Sequence, residues 1–274
     1  MTQRILITGA AGGVGTLMRP RLAADDRILR LLDIAELPAA ADGERVETIQ
    51  ASITDMDAME RACEGVDAVI HLGGHSLEQV WSKILDVNIN GTYVVLEAAR
   101  RQGVKRVVLA SSNHAVGYIK EADGEAADYA FPRPDTNYGV SKAAMEALGS
   151  MYADRYGMDV ICVRIGSCFA KPKDVRMLST WLSPDDGARL FEACLATPKP
   201  GFRIVWGVSD NTRRWFSLDE ARKLGYESKD DSEEFAAEVL ARHGELDPGS
   251  YAARYLGGAW CGPDFNTAVK EAGR

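Results

Sequence analysis

Tyr138 and Lys142 are four residues apart in NYGVSKAAMEAL, a segment with a helical pattern. Residues at this spacing share one face of a helix, so the phenol and the ammonium group can lie close together. A free tyrosine has a pKa of about 10, whereas a general base must titrate nearer the working pH. A lysine cation beside it can lower that pKa, and a shift of about three units takes roughly 4 kcal/mol. The pair therefore predicts a proton-accepting tyrosine, with an ordinary surface pair as the alternative.

A glycine-rich segment, ITGAAGGVG, follows the first predicted strand and opens the first predicted helix. Gly9, Gly12 and Gly15 permit a tight turn and bring a pyrophosphate close to the helix N-terminus. Asp33, at the end of the second predicted strand, can accept hydrogen bonds from both adenosine ribose hydroxyls and repels a 2′-phosphate. Because no Arg or Lys directly follows Asp33, the sequence predicts NAD rather than NADP. The alternatives are a glycine-rich turn and a solvated aspartate.

A polar run, Ser111, Ser112, Asn113 and His114, follows the apolar stretch RVVLA, where a buried strand is predicted to end. Open parallel sheets bind ligands beyond the carboxyl ends of their strands. The run can therefore line a substrate site. From these residues alone, a serine-rich loop that caps the strand is an equally good interpretation.

The elements that must position these residues are strands alternating with helices. Apolar, β-branched runs bounded by turn residues predict strands buried on both faces of a parallel sheet. They lie at 4–8, 27–32, 46–50, 67–72, 106–110, 159–165 and 202–207. The helical patterns between them predict βαβ units with right-handed crossovers, and Pro20 should lie early in the first helix or kink it.

The predicted fold is therefore α/β, a Rossmann-type doubly wound parallel sheet with a small C-terminal substrate-binding region. Residues 1–165 form the predicted NAD-binding domain. Residues 166–274 form a smaller cap interleaved with the last strand and helices.

Composition excludes several classes of function. The net charge is −8 and no dense Lys/Arg cluster is present, which argues against nucleic acid and anionic membranes as partners. No run approaches the ~18 apolar residues of a membrane span, and the N-terminus lacks a secretory pattern. The five scattered cysteines suit free thiols in the cytoplasm. No metal site is predicted, because Gly73 and Gly74 separate His71 from His75 and argue against a helix there.

Several segments together resemble the extended short-chain dehydrogenase/reductase family. They are the GAAGGVG start, VNINGT, the strand ending in SSNH, and YGVSK. SSNHAVGY, VRIGSC, RMLSTW and IVWG resemble more closely the members that oxidise uronates, and the similarity covers nearly the whole chain. The resemblance implies NAD-dependent oxidation of the ring-form C1 hydroxyl of D-glucuronate or D-galacturonate to an aldarolactone.

The resemblance also assigns residues. Tyr138 would take the hydroxyl proton, Lys142 would lower the tyrosine pKa and hold the nicotinamide ribose, and Ser112 would orient the hydroxyl. The implied NAD-binding residues are Gly9, Gly12, Gly13, Val14, Gly15, Asp33, Ser52, Ile53, Leu72, Gly73, Gly74, Asn88, Tyr138, Lys142 and Ile165. The implied substrate-binding residues are Ser76, Ser112, Asn113, His114, Tyr138, Ser167 and Arg176, with Ser111 also lining the sugar site.

A guanidinium group is the natural partner for the carboxylate of a hexuronate. The resemblance points to Arg176, whereas chemistry alone leaves Arg213 and Arg214 as equal candidates. The chain departs from the family at Ser52, because the family usually places an acidic residue there to contact the adenine amino group.

Family members associate through helices that correspond to 77–101 and 138–156, so the resemblance also implies a homo-oligomer. Two alternative functions remain open. One is a nucleotide-sugar epimerase or dehydratase of the same superfamily, for which about 110 residues after Ile165 leave little room. The other is a non-catalytic NAD-sensing protein, which would be expected to lack the Tyr–Lys pair.

Overall fold

One parallel sheet of seven strands dominates the computed structural model, which describes residues 2–265. The strand order is β3-β2-β1-β4-β5-β6-β9, which confirms the predicted Rossmann-type fold. The strands of this sheet are β1 Gln3–Thr8, β2 Arg27–Asp33, β3 Val46–Gln50, β4 Ala68–His71, β5 Arg106–Ser112, β6 Asp159–Ile165 and β9 Phe202–Gly207. Residue 1 and residues 266–274, at the outer ends of the two predicted domains, lie outside the described residues.

Helices cover both faces of the sheet, because its strands are apolar on both sides. On β1, Ile5 and Ile7 pack into one core and Leu6 packs into the other. The helices are α1 Gly13–Met18, α2 Met56–Cys63, α3 Trp81–Lys83, α4 Gly91–Arg101, α5 Asn137–Tyr156, α6 Met177–Thr180, α7 Pro184–Ala196, α8 Asp219–Lys223, α9 Ala236–His243 and α10 Tyr251–Arg254. Buried residues of α2, α4 and α5 join the core that contains Leu6, whereas α1, α7 and α8 join the other.

The first helix differs from its prediction. It ends at Met18, so Pro20 lies in the turn beyond it rather than early in the helix or at a kink. Proline cannot continue a helix because it lacks the N–H group and its ring clashes with the preceding turn.

A π-helical segment, Ile84–Asn90, joins α3 to α4 and makes residues 81–101 one continuous helix. π-helical turns are often found at functional sites. This segment carries Asn88, which is buried.

The fifth strand is longer than predicted. It continues past Ala110 through Ser111 and Ser112, which pair with Arg164 and Ile165 of β6. The polar run thus begins inside the sheet, and only Asn113 and His114 lie beyond its edge, in a 3₁₀ turn over Asn113–Val116.

Residues after 165 serve two purposes. β9 extends the main sheet and α7 covers one face of it. The short parallel strands β7 Ser167–Cys168 and β8 Trp181–Leu182 form a second small sheet. Nearby, Leu178, Ala236 and Val239 form a separate apolar cluster. No helix within residues 2–265 is long and apolar enough to cross a membrane, and all five cysteines are buried free thiols.

Candidate active site

The site is built around the first turns of α5. Thr136 caps this helix by accepting a hydrogen bond from the Gly139 N–H at 3.1 Å. The buried carboxylate of Glu78 accepts the N–H groups of Tyr138 at 2.7 Å and Asn137 at 3.3 Å. A carboxylate is stabilised at a helix N-terminus by the free N–H groups and the helix dipole. Glu78 therefore fixes the backbone that carries Tyr138.

Tyr138, Lys142 and Ser112 are brought together at the carboxyl end of β5. The Ser112 hydroxyl accepts the N–H of His114 at 3.2 Å. It also lies near enough to the Tyr138 phenol to act against the rise in the pKa of that group. The Nζ of Lys142 lies 5.4 Å from the centre of the Tyr138 ring and donates to the Ala110 carbonyl at 2.7 Å. All three side chains are buried.

Burial dominates the electrostatics of this group. It raises the pKa of Tyr138 to about 12, although the Ser112 hydroxyl acts in the opposite direction. It also lowers the pKa of Lys142 to about 8. In the protein without cofactor, desolvation of the phenolate outweighs the favourable contacts, and the lowering of the tyrosine pKa by Lys142 together with a bound cofactor stays a prediction.

The glycine-rich turn has the shape that a dinucleotide requires. Gly9 adopts a φ of +70°, and a Cβ atom there would lie 2.6 Å from the backbone N of Gly73. At Gly15 a Cβ atom would lie 2.5 Å from the Gly9 carbonyl oxygen. At Gly13, by contrast, a Cβ atom would meet no atom within 4 Å, and α1 begins without a side-chain cap. The inner side of the turn is closed by backbone, whereas its outer side and its N–H groups are open to a diphosphate.

Asp33 stands at the end of β2, beside the glycine-rich turn. Its carboxylate accepts the N–H of Ala11 at 2.9 Å and that of Ala35 at 3.0 Å. These bonds hold both oxygens in place at the carboxyl edge of the sheet. Such a fixed carboxylate fits the ribose hydroxyls of NAD and opposes the extra phosphate of NADP.

The residues after β3 form the next part of the predicted cofactor site. The Ser52 hydroxyl is hydrogen-bonded to the Thr54 hydroxyl at 2.8 Å. Ile53 is buried and packs so closely that a Cβ atom at Gly91 would lie 2.8 Å from its Cδ1. Ser52 therefore offers a hydroxyl where the family usually offers a carboxylate.

Asn88 supports the loop after β4, which begins at Leu72. Its Oδ1 accepts the His75 N–H at 2.8 Å, and its Nδ2 donates to the His75 carbonyl at 3.0 Å and to the Ser141 hydroxyl at 3.1 Å. Gly74 lies against it at a φ of +138°, where a Cβ atom would be 3.0 Å from Oδ1. Asn88 thus connects this loop to α5, and it reaches Ser141 rather than Lys142.

A groove of about 930 Å³ is lined by residues from both halves of the chain. Five of the predicted site residues line it: Gly13, Val14, Ser76, Ile165 and Ser167. Phe235 and Val239 form part of its wall in the C-terminal region. Ser167 is buried, and its hydroxyl is hydrogen-bonded to that of Thr180 at 3.0 Å.

Arg176 does not line this groove but borders a smaller cavity of about 130 Å³. Its Nε and Nη2 donate to the Leu256 carbonyl at 3.0 and 2.6 Å. With its amide oxygen toward Arg176, Asn113 accepts from Nη2 at 2.7 Å and donates to the Ile165 carbonyl at 3.1 Å. Burial lowers the pKa of Arg176. Asn113 therefore joins the guanidinium to the end of β5.

The three arginines considered for a substrate carboxylate differ in their partners. Arg213 forms a two-pronged ion pair with Glu233 at 2.7 and 3.0 Å, and Arg214 is paired with Asp210. Arg176, in contrast, forms no ion pair with any residue that the structure describes. The structure thus separates candidates that side-chain chemistry alone left equal.

Ser111 points away from the sugar site. Its hydroxyl donates to Glu146 at 2.6 Å, and Glu146 forms a buried two-pronged ion pair with Arg164 at 2.7 and 2.8 Å. Adjacent residues of a strand face opposite sides of the sheet, so Ser111 and Ser112 cannot both enter the site. The expectation that Ser111 lines the sugar site is therefore wrong.

Four features of the site were not predicted: Glu78, Asp135, Trp260 and the carbonyl of Leu256. His114 is hydrogen-bonded to Asp135 and stacks on Trp260 with ring centres 4.0 Å apart. Of these four, only Asp135 lies beside a usable sequence signal. It precedes Thr136 in PDTNYG, and a threonine just before an apolar helix is a typical cap. Contacts from residues 256–260 depend on the tertiary fold and have no local pattern.

The doubly wound sheet, its open glycine turn and the Tyr–Lys pair on α5 define a dinucleotide-dependent enzyme of the short-chain type. The chain belongs to the NAD dependent epimerase/dehydratase family, whose model matches residues 5–185. This membership confirms the family and the NAD cofactor that the sequence predicted.

Relatives and solved structures resemble nearly the whole chain. A uronate dehydrogenase of Pseudomonas syringae pv. tomato is 48% identical over 94% of this chain and 92% of its own. The structure of a tyrosine-to-alanine mutant of uronate dehydrogenase from Agrobacterium tumefaciens, complexed with NAD, has a TM-score of 0.90 at 39% identity, covering 96% of this chain and 98% of its own. A glucuronic acid dehydrogenase from Chromohalobacter salexigens also has a TM-score of 0.90, at 41% identity, covering 95% of this chain and 97% of its own.

Proposed function

We propose that this protein is an NAD-dependent uronate dehydrogenase that oxidises the ring-form C1 hydroxyl of D-glucuronate or D-galacturonate to an aldarolactone. The observation that carries the proposal is the guanidinium of Arg176, which has no carboxylate partner among the described residues and is joined through Asn113 to the Ser112–Tyr138 pair. A partly buried cation that forms no ion pair with a described residue fits a sugar that brings its own carboxylate. The names of the similar proteins support the same substrate class.

The cofactor fits the residues described above. The free N–H groups at the start of α1 would hold the diphosphate, and Asp33 would hold the adenosine ribose. When bound, NAD would supply the acceptor for the C1 hydrogen and its two electrons, and it would bring the positive charge of its oxidised ring to the site.

Residues of the chain itself would carry out the proton transfer. Ser112, whose hydroxyl acts against the rise in the pKa of the phenol, would orient the substrate hydroxyl, and Tyr138 would take its proton. The Lys142 ammonium, 5.4 Å from the ring centre, would stabilise the phenolate. Because burial raises the pKa of Tyr138 to about 12, this cation alone does not produce a phenolate at neutral pH. The base therefore becomes competent only in the assembled complex.

The test is a screen for NADH formation, followed by absorbance, with each sugar and NAD in turn. D-glucuronate and D-galacturonate should be oxidised, whereas D-glucose and D-galactose should react at least tenfold less efficiently, since they lack the carboxylate. Glucose 6-phosphate tests a different anion, and UDP-glucose tests the nucleotide-sugar alternative. Preferential oxidation of any of these four over both uronates would contradict the proposed substrate.

Tyr138→Phe tests the proton acceptor. Turnover should fall about 10²- to 10⁴-fold, the usual contribution of general acid–base catalysis, while NAD binding is retained. Tyr129→Phe is the matched control, because that side chain is half exposed. Undiminished turnover in Tyr138→Phe would refute the assigned role.

We also infer a homo-oligomer formed through the two long helices. Trp81 and Leu85, Tyr93 of α4, and Val140 and Met151 of α5 expose large apolar side chains on these helices. Sedimentation analysis should show a dimer or larger species, which Leu85→Asp should weaken. A cytoplasmic location stays a prediction.

A further inference from the structure

A buried histidine–carboxylate pair lies beside the catalytic tyrosine. The Nδ1 of His114 is 2.6 Å from Oδ2 of Asp135, whose side chain is fully buried. The imidazole stacks on Trp260 and meets the Tyr138 ring edge-on at 5.8 Å between ring centres. The chemistry assigned to Ser112, Tyr138 and Lys142 makes no use of Asp135.

The backbone packed around Asp135 allows its carboxylate only one position. Cβ atoms at Gly117 and Gly257 would collide with Oδ2, and one at Gly139 would lie 2.9 Å from Oδ1. These glycines come from three separate parts of the chain, and their backbones close around the carboxylate. A group packed this tightly holds its partner in a fixed geometry.

The hydrogen bonds of this pair determine where the imidazole proton lies. A carboxylate only accepts hydrogen bonds, so the Nδ1 facing Asp135 must carry a proton. Burial lowers the pKa of His114, and the charge of Arg176 acts in the same direction, against the opposing effects of Asp135 and Glu78. A neutral imidazole with its proton on Nδ1 has an unprotonated, accepting Nε2.

We propose that Asp135 is a positioning residue that holds His114 in the tautomer whose Nε2 accepts a hydrogen bond from a sugar hydroxyl. This inference rests on the proposed function, because it places a hydroxylated sugar beside Tyr138. The neighbouring Arg176 can only donate hydrogen bonds, so a hydroxyl proton in this part of the site needs an acceptor. His114 supplies one, and a site with an obligatory acceptor discriminates against sugars that lack the matching hydroxyl.

Asp135→Asn is a sharp test because the structure fixes which way the new amide will face. Thr136 accepts the Gly139 N–H and donates its only hydroxyl proton to Oδ1 of Asp135 at 3.0 Å. The amide oxygen of the variant should therefore take the Oδ1 position, which places its NH₂ against Nδ1. Nδ1 must then accept, the proton moves to Nε2, and the sugar hydroxyl meets a donor.

The first measurement reads the tautomer directly and needs no activity. The chain has four histidines, so the ¹⁵N-labelled imidazole signals can be assigned by single substitutions. Wild-type His114 should show an unprotonated Nε2 at neutral pH, and Asp135→Asn should show a protonated one. A protonated Nε2 in the wild type would overturn the proposal, even if uronate oxidation were confirmed.

The second measurement is a double-mutant cycle on kcat/KM for the uronate. His114→Asn keeps a donor toward Asp135 but has no atom at the Nε2 position. Asp135→Asn alone should lower kcat/KM about 10- to 100-fold, the effect of a mispaired buried hydrogen bond, and leave NAD binding unchanged. When His114→Asn is already present, Asp135→Asn should cause no further loss of kcat/KM. An equal loss in both backgrounds would show that Asp135 acts only through packing and would overturn the proposal.

Discussion

Glu78 and Tyr138 are joined by a hydrogen bond of 2.7 Å from the tyrosine backbone N–H to the glutamate carboxylate. Glu78 lies in the loop between β4 and α3, and Tyr138 lies in the first turn of α5. The bond therefore connects the loop after β4 to the start of α5 through one buried side chain. It places a negative charge at the positive end of the helix that carries Tyr138 and Lys142, the proposed catalytic pair.

Glu78→Gln keeps the size of this side chain and removes its charge. We expect a loss of about 1–2 kcal/mol in the free energy of unfolding, because a charge-assisted bond at a helix N-terminus becomes a neutral one. Turnover should fall as well, since the start of α5 positions the Tyr138 phenol. Urea denaturation and steady-state kinetics measure the two effects.

Asp57→Asn provides the matched control for Glu78→Gln. Asp57 also lies in the first turn of a helix, α2, but its side chain is exposed. Its substitution should change stability by less than about 0.5 kcal/mol and leave turnover intact. Equal effects of the two substitutions would show that burial of Glu78 at α5 has no special importance.

The sequence predicted the sheet well because each strand is a short apolar run bounded by turn residues, a pattern that depends on local chemistry. Tyr138 and Lys142 were expected to lie together for a similar reason, since their spacing puts them on one face of a helix, whereas Ser112 was singled out only by the family resemblance. Glu78 and Trp260 could not be found in this way. Each reaches the site from a distant loop, and a lone Glu or Trp there is compatible with many tertiary positions.

Arg176→Met tests the proposed contact with the substrate carboxylate. A hydrogen-bonded contact with a charged group is worth about 1.5–3 kcal/mol, so KM for the uronate should rise about 10- to 150-fold. The weak activity toward D-glucose should change far less, because that sugar has no carboxylate to lose. Steady-state kinetics with both sugars gives the comparison.

Arg213→Met is the control for that experiment. Arg213 borders the same small cavity as Arg176 but is already ion-paired with Glu233 at 2.7 Å. Its substitution should leave the KM for the uronate within about twofold of the wild type, as expected of a surface ion pair. A large rise in KM for Arg213→Met, with none for Arg176→Met, would exchange the two roles.

Asp33→Asn tests the choice of cofactor. Its carboxylate accepts the N–H groups of Ala11 and Ala35 with different oxygens, and an amide cannot accept at both positions. The loss of charge also removes the repulsion toward a 2′-phosphate. The ratio of kcat/KM for NAD over NADP should fall about tenfold or more, equivalent to about 1.4 kcal/mol. Glu36→Gln, on an exposed side chain in the following turn, should leave the ratio unchanged.

His71 should make stability depend on pH. It is completely buried at the end of β4, where its Nδ1 lies 2.7 Å from the Thr8 hydroxyl and its Nε2 lies 3.3 Å from the Thr92 hydroxyl. Burial lowers its pKa from the ordinary 6.5 to about 3. At a pH between these two pKa values, His71 binds a proton in the unfolded chain but not in the folded protein. The stabilising effect is therefore complete above pH 6.5 and is lost as the pH falls toward 3.

At pH 5 this linkage removes about 2 kcal/mol, which is 1.36 kcal/mol for each of the 1.5 pH units below 6.5. His71→Asn should be less stable than the wild type at pH 7.5, because the two threonine contacts are disturbed. Between pH 7.5 and pH 5, however, it should lose about 2 kcal/mol less than the wild type. Urea denaturation at both pH values measures the difference, and His243→Asn, at an exposed site, should follow the wild type. A variant that loses as much stability as the wild type over this range would show that His71 is not the group responsible.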